Sequence, residues 1–184
     1  MTLYINTNKP LENYTRLVNT ENFVDKSMII EKTNKLINTT NNYLCITRPR
    51  RFGKSSVIDM LGAYYSKSFD SSFIFDNLKI SEVHSYKNNL NKYNVVNISF
   101  NEITDNMKTY EEYINNIVNE IKKEVISKFN IEDVNENDSL KRVFQKSNQK
   151  FIFLLDEWDY IFSNNLFEEN QNNFLEFLRN LLKD

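Results

Sequence analysis

The chain has almost no glycine and almost no proline, two of each in 184 residues. Residues suited to tight turns and left-handed backbone are therefore rare enough that their places carry information. A single cysteine, Cys45, excludes an internal disulfide, and its apolar neighbours predict a buried, inert thiol. The single histidine, His84, stands in a polar stretch that reads as surface rather than as a switch or ligand. No segment approaches the roughly 18 apolar residues that cross a bilayer, and the amino terminus lacks a basic region followed by an apolar one. No membrane partner is expected, and the cytoplasm is the default address. A formal charge of −2 argues against a surface built throughout for nucleic acid, so any basic patch is local.

What the chain does have is an ordinary balance of 40% hydrophobic and 26% charged residues. Its length suits one domain with a substantial core. Residues 1–184 are read as a single domain, with 1–26 as a leading segment that packs across the core without adding a strand. Asparagine is abundant and alanine occurs once, at Ala63, as an AT-rich coding sequence produces. The pairs Asn41-Asn42, Asn88-Asn89 and Asn172-Asn173 are assigned to solvated surface.

Hydrophobic periodicity orders the rest. Ser27 as N-cap, with Ile29, Ile30, Leu36 and Ile37, predicts a helix ending in the polar tract 38–42. Tyr43-Leu44-Cys45-Ile46 predicts a buried parallel strand. Val57, Ile58, Met60, Leu61, Tyr64 and Tyr65 recur at the spacing of a helix with one buried face. Residues 69–92 look irregular, anchored by Phe73, Phe75, Leu78 and Ile80. A second strand spans 95–100, and a long helix runs from Tyr110 to Phe129. After an acidic loop at 132–138 comes a shorter helix around Leu140, Val143 and Phe144. Phe151-Ile152-Phe153-Leu154-Leu155 is the strongest strand, and a final helix carries Phe167, Phe174, Leu178 and Leu181. Strands alternating with helices predict an α/β fold with a parallel sheet, whose ligand sits outside the carboxyl ends of the strands.

One of the two prolines and one of the two glycines fall in a single loop, Thr47 to Ser55, between the first predicted strand and the helix after it. Strand, tight loop ending Gly53-Lys54-Ser55, then helix is an arrangement that grips nucleotide phosphates. Main-chain N–H groups at the helix start meet the anion, a lysine adds charge, and a hydroxyl serves Mg²⁺. The phosphate-contacting set is Arg48, Pro49, Arg50, Arg51, Phe52, Gly53, Lys54, Ser55 and Ser56. Gly-Lys-Ser by itself is a weak signal, but an apolar strand elsewhere delivers Asp156-Glu157 at its carboxyl end. Mg²⁺ takes hard oxygen donors, which Ser55 and, usually through water, Asp156 supply. Glu157 is placed to orient or deprotonate an attacking water. Lys54 and Glu157 are thus the candidate catalytic residues, with a nucleotide and Mg²⁺ as the expected ligands. The plainer alternative is that Lys54 and Ser55 merely open one helix and Asp156-Glu157 merely cap another. Asp159 is a candidate support for the metal, and Trp158 packs or covers the nucleotide. Arg48, Arg50, Arg51 and Lys54 put four cations into seven residues, which a bound triphosphate or acidic neighbours explain more simply than nucleic acid.

Three stretches resemble the bacterial AAA-ATPase-like family, whose members often carry a C-terminal nuclease-type domain of the P-D-(D/E)-x-K class. They are Asn22-Phe23-Val24-Asp25-Lys26-Ser27 before the first predicted helix, Thr47 to Ser55 as that family's T-R-P-R-R-F-G-K-S, and Leu155-Asp156-Glu157-Trp158-Asp159 in place of its I-D-E-Y-D. The resemblance covers nearly the whole chain. It implies a P-loop NTPase-like three-layer sandwich in which Lys54 and Ser55 are Walker A residues and Asp156 and Glu157 the Walker B pair. Arg48 stands where the general phosphate-loop pattern has its first glycine, and arginine there is usual in this family. ATP rather than GTP follows from the likeness, since no N-K-x-D guanine motif is present.

P-loop ATPases with a glutamate directly after the Walker B aspartate normally hold a further strand between the phosphate-loop and Walker B strands, carrying a polar sensor. By resemblance that strand would follow the helix at 168–182, so the domain is expected to be truncated before it and to hydrolyse ATP weakly or not at all. Such a remnant must adapt, self-associate, or borrow a segment from a protein partner through its incomplete sheet. Two further readings stand beside a Mg²⁺-dependent ATPase. One is a non-catalytic binding or inhibitor protein derived from such an ATPase, encoded by a phage or mobile element and acting on a host nuclease, defence complex or RNA. The other is a fragment of a longer ATPase–nuclease protein.

Overall fold

The computed structural model describes residues 2–47, 49, 52–102, 107–135 and 137–182. Two strands, β1 (Asn94–Ser99) and β2 (Phe151–Asp156), pair in parallel, and beyond them the described residues form helices and an isolated parallel bridge between Ser66 and Tyr93. The chain is therefore mixed α/β. It divides into two compact units, one built from 6–97 and 151–154, the other from 1–5, 98–150 and 155–184.

The unit holding 6–97 is centred on α3 (Lys54–Tyr65), where Val57, Met60, Leu61, Tyr64 and Tyr65 are buried as their spacing predicts. Helix α1 (Lys9–Val18) packs along α3, with Pro10 in its first turn, where the missing N–H has no helical partner to lose. Gly62 permits the approach. A Cβ there would stand 2.8 Å from Pro10 Cβ and 3.0 Å from its Cγ, with Asn97 Oδ1 at 3.3 Å. Gly62→Ala is expected to destabilise the protein by about 1–3 kcal/mol, because neither a proline ring nor a helix backbone yields as a flexible tip does. Urea unfolding checks this; an unchanged midpoint would mean that the α1–α3 crossing is looser than described.

Helix α2 (Met28–Asn34) follows the predicted start at Ser27. Residues 69–92 fold into short pieces: α4 (Ser72–Phe75), a 3-10 turn at Lys79–Glu82, and α5 (Tyr86–Asn89). Phe75, Leu78 and Ile80 anchor them as expected, whereas Phe73 faces solvent. Asn91, in left-handed conformation at φ 54°, knits this region to the end of α3. Its Nδ2 reaches the Ser66 carbonyl at 2.9 Å, and its Oδ1 accepts the Ser71 N–H at 3.0 Å. Asn6 serves β1 similarly, donating its N–H to the Val95 carbonyl and accepting the Val95 N–H on Oδ1, both at 2.7 Å.

The other unit is built on α6 (Tyr110–Phe129), which starts with a capping box: Glu112 N–H donates to Thr109 Oγ1 at 3.2 Å, and Thr109 N–H donates to Glu112 Oε2 at 3.0 Å. It stops at Asn130 in left-handed conformation. Glu124 on α6 accepts the N–H groups of Leu3, Tyr4 and Ile5, tying the amino terminus down. α6 and α7 (Leu140–Lys146) form the crossover that a parallel pairing of β1 with β2 requires. After β2 come α8 (Tyr160–Ser163), a 3-10 turn at Glu168–Asn170 and α9 (Gln171–Leu182). Phe167 precedes that turn instead of lying on the final helix, and stacks on Tyr113; Phe174 meets Phe100 edge to face at 5.2 Å.

The apolar run 43–46 departs from expectation. It forms no strand, Tyr43 and Leu44 are 57% and 53% exposed, and the Cys45 thiol is exposed rather than buried. An extended segment gains from burial only when a neighbouring strand satisfies its N–H and C=O groups. β1 and β2 pair with each other, and among the described residues no segment pairs with 43–46 as a strand. Periodicity registered the apolar character of this run but could not register the missing neighbour.

Candidate functional site

Of the loop residues singled out in the sequence, Arg48, Arg50 and Arg51 lie outside the described residues. Thr47 and Pro49 are exposed and irregular, and Phe52 is 62% exposed. Gly53 has φ +78°, a left-handed conformation that a side chain resists, and it caps α3. The first helical bond runs from Val57 N–H to the Gly53 carbonyl at 3.1 Å, so the N–H groups of Lys54, Ser55 and Ser56 have no partner within the helix. Among the described residues no side chain caps them, and the first turn holds no acidic residue. Helix α6 differs in both respects, with Thr109 and Glu112 on its first turn. The start of α3 is thus a set of free donors at the positive end of a helix dipole, with the half-buried Lys54 and exposed Ser55 side chains beside it.

A residue that sequence reasoning passed over joins this group. The Lys26 ammonium lies 3.4 Å from the Phe52 carbonyl oxygen, and 3.2 Å from where a Cβ on Gly53 would be. Its backbone is pinned on both sides. Asp25 accepts the N–H of Ser27 at 2.7 Å and of Lys79 at 2.9 Å, and Ser27 Oγ accepts the Ile80 N–H at 3.2 Å. The signal that could have found it is Asp-x-Ser ahead of a helix, an Asx-turn pattern that fixes the residue in the middle.

Partial burial works to raise the Asp25 carboxyl. The hydrogen bonds from Lys79 and Ser27, with the Lys79 charge, outweigh it and hold the group below its ordinary value of 3.8. A depressed carboxylate stabilises the fold above that value, and the contribution is lost as pH falls through the folded-state pKa. Asp25→Asn is accordingly expected to be less stable than the parent at neutral pH, with the difference shrinking as the pH is taken below 3.8. Denaturant titrations across that range check it; a pH-independent difference would assign the effect to packing alone.

The carboxylate pair belongs to the other unit. Asp156 ends β2, where its carbonyl accepts the Phe100 N–H at 3.1 Å and its Oδ1 accepts the Glu157 N–H at 3.0 Å. Glu157 has φ +53°, a conformation costing a non-glycine residue on the order of 1 kcal/mol, and its carbonyl accepts the Tyr160 N–H at 2.9 Å. The chain turns sharply here, straight from strand into α8. Trp158 is 41% exposed and meets Phe162 edge to face at 6.3 Å; Asp159 precedes α8 without capping it through its side chain.

Comparison with known families supplies the decisive observation: the AAA-ATPase-like family, described as predicted AAA-ATPase, matches residues 10–184. The chain belongs to the AAA-ATPase-like family. No curated protein and no solved structure matches it. Membership in the AAA-ATPase-like family implies nucleotide binding, usually with Mg²⁺. The loop fits the anionic part of such a ligand, since Gly53 keeps the space a Cβ would fill and the α3 donors stand free. Among the described residues no group of three or more His, Cys, Asp or Glu side chains gathers as a metal site. Mg²⁺ held against phosphates needs only one or two protein oxygens, so the ion this family usually binds does not require such a cluster. No described helix is long and apolar enough to cross a membrane.

Proposed function

We propose that residues 1–184 act as a P-loop nucleotide-binding domain of the three-layer sandwich type that holds ATP with Mg²⁺ and hydrolyses it slowly or not at all. Phosphates lie on the free N–H groups at the start of α3, with Arg48, Pro49, Arg50, Arg51, Phe52, Gly53 and Ser56 forming the surrounding loop and Lys54 reaching the β- and γ-phosphates. Ser55 and Asp156 hold the metal, and Glu157 orients water. The observation that supports this most is the left-handed Gly53 at the head of an uncapped helix, in a member of an ATPase-like family. Titration of ATP with and without Mg²⁺, followed by phosphate release from the same samples, tests it. Saturable, Mg²⁺-strengthened binding is expected; no binding at millimolar ATP sinks it, and fast turnover sinks the claim of slow hydrolysis.

A second reading is favoured by the exposed apolar side chains of Tyr43, Leu44 and Phe52. In it the domain is a binding module whose protein partner, or second copy, covers the run at 43–46 and pairs with its backbone. Binding without turnover, together with association that Leu44→Lys abolishes, is the outcome that separates it from an ATPase.

A further inference from the structure

We infer that Lys26 is a second phosphate-binding cation of the loop, contacting the polyphosphate of a nucleoside triphosphate alongside Lys54. The inference rests on the phosphate-loop function proposed above. Lys26 lies 28 residues before Lys54 in the chain (54 − 26), yet its ammonium stands against Phe52 and Gly53. The pinned turn around it explains why: both oxygens of Asp25 are committed to main-chain N–H groups, so the backbone at 26 is held while the lysine side chain extends to the loop.

Three further observations say what the ammonium is for. First, its contact with the Phe52 carbonyl is long at 3.4 Å and engages one of three N–H donors, leaving two for a ligand. Second, among the described residues neither Lys26 nor Lys54 is paired with a carboxylate, and Asp25, the nearest in sequence, spends its charge on Ser27 and Lys79. Third, the first turn of α3 carries no acidic residue. An ammonium group beside a helix N-terminus whose first residue is a second lysine, with no acidic residue in that turn, suits a multiply charged anion. A carbonyl contact alone needs no charge, since a neutral donor serves as well. The ligand class that uses such an excess is a triphosphate, with a diphosphate next and a monophosphate least.

Titrations of ATP, ADP and AMP into the wild-type chain, Lys26→Gln, Lys26→Arg and Lys54→Ala test the assignment. Glutamine keeps a donor for the Phe52 carbonyl and removes the charge. Lys26→Gln is expected to weaken ATP about tenfold, as for one charge-assisted hydrogen bond, ADP less, and AMP little, while Lys26→Arg retains ATP. The thermal midpoint without nucleotide should be unchanged. If Lys26→Gln binds ATP as the wild type does while Lys54→Ala has lost it, Lys26 is not a ligand residue and the inference is overturned. If Lys26→Gln weakens all three nucleotides equally and lowers the midpoint, Lys26 shapes the loop without touching phosphate, and it is again overturned. If the wild-type chain and Lys54→Ala are alike in binding no nucleotide, the phosphate-loop function itself fails and takes Lys26 with it.

Discussion

Lys54→Ala is expected to weaken ATP binding by about 10- to 100-fold, the range for removing one charge-assisted contact to phosphate. The effect falls on the ligand and not on the fold. Lys54 opens α3 half-buried, makes no ion pair among the described residues, and is replaced by a residue of higher helix propensity. Unfolding without nucleotide should therefore be unchanged or slightly later, while the stabilisation that ATP adds to the parent is lost in the variant. The two readings together matter: a variant that loses both ATP and its thermal midpoint would show Lys54 to be structural.

The largest effect on stability is expected at Tyr64. The ring is fully buried, meeting Phe75 at 5.3 Å and Tyr65 at 4.9 Å, both edge to face, and stacking on Tyr86 at 6.1 Å. Its hydroxyl donates to the Tyr86 carbonyl at 2.6 Å and accepts Asn34 Nδ2 at 3.3 Å. Tyr64→Ala removes the ring that joins α3 to α5 and α2, and a cost of about 3–5 kcal/mol follows from the lost contacts and the cavity left behind. Tyr64→Phe keeps the ring and removes one hydrogen bond to the Tyr86 carbonyl, which still accepts the Leu90 N–H at 3.0 Å, for about 0.5–1.5 kcal/mol. Burial pushes the phenol up to about 12, so it stays a neutral donor, and both costs should be the same from neutral to mildly alkaline pH. Urea denaturation of the three proteins orders them; equal losses for phenylalanine and alanine would move the contribution from the ring to the hydroxyl.

The parts of this fold that could be read from sequence are those whose causes are local. Helix α3 follows from an apolar stripe beginning just after Gly53, and α6 from a longer stripe starting at Tyr110; the capping box of Thr109 and Glu112 is a feature that the structure adds. β1 and β2 declare themselves by apolar density, each within a residue of its predicted span. The failure at 43–46 has the opposite cause, because a strand exists through its neighbour and no local pattern contains the neighbour. Cys45 fell with it, since its burial had been inferred from that strand. Phe73 and Phe167 show the limit of hydrophobicity as a guide to position: the first turns outward from α4, and the second is set by a left-handed turn ahead of α9.

The candidate site divides in the same way. Gly53, Lys54 and Ser55 were singled out because a glycine is rare in this chain, and φ +78° shows that this position uses the backbone freedom glycine has. Asp156 and Glu157 were singled out because an apolar strand ran into two carboxylates. The left-handed backbone of Glu157 was not, as nothing in a Leu-Asp-Glu-Trp run foretells it. Lys26 escaped for a different reason. It stood in a family-like stretch and inside an Asp-x-Ser turn pattern, but neither says where its side chain goes; the Asp25 and Ser27 anchors, acting through residues more than fifty positions away, bring it to the loop.

The account turns on the main-chain donors at the head of α3. Amide NMR of the ¹⁵N-labelled chain during addition of Mg²⁺ and ATP reads them directly. The N–H signals of Gly53, Lys54, Ser55 and Ser56 are predicted to move furthest and to titrate together, and to stay in place when the nucleotide is replaced by nucleoside. Movement confined elsewhere, for instance to the open cleft of about 530 Å³ lined by Lys67, Lys87 and Lys92, with the α3 amides still, would contradict it.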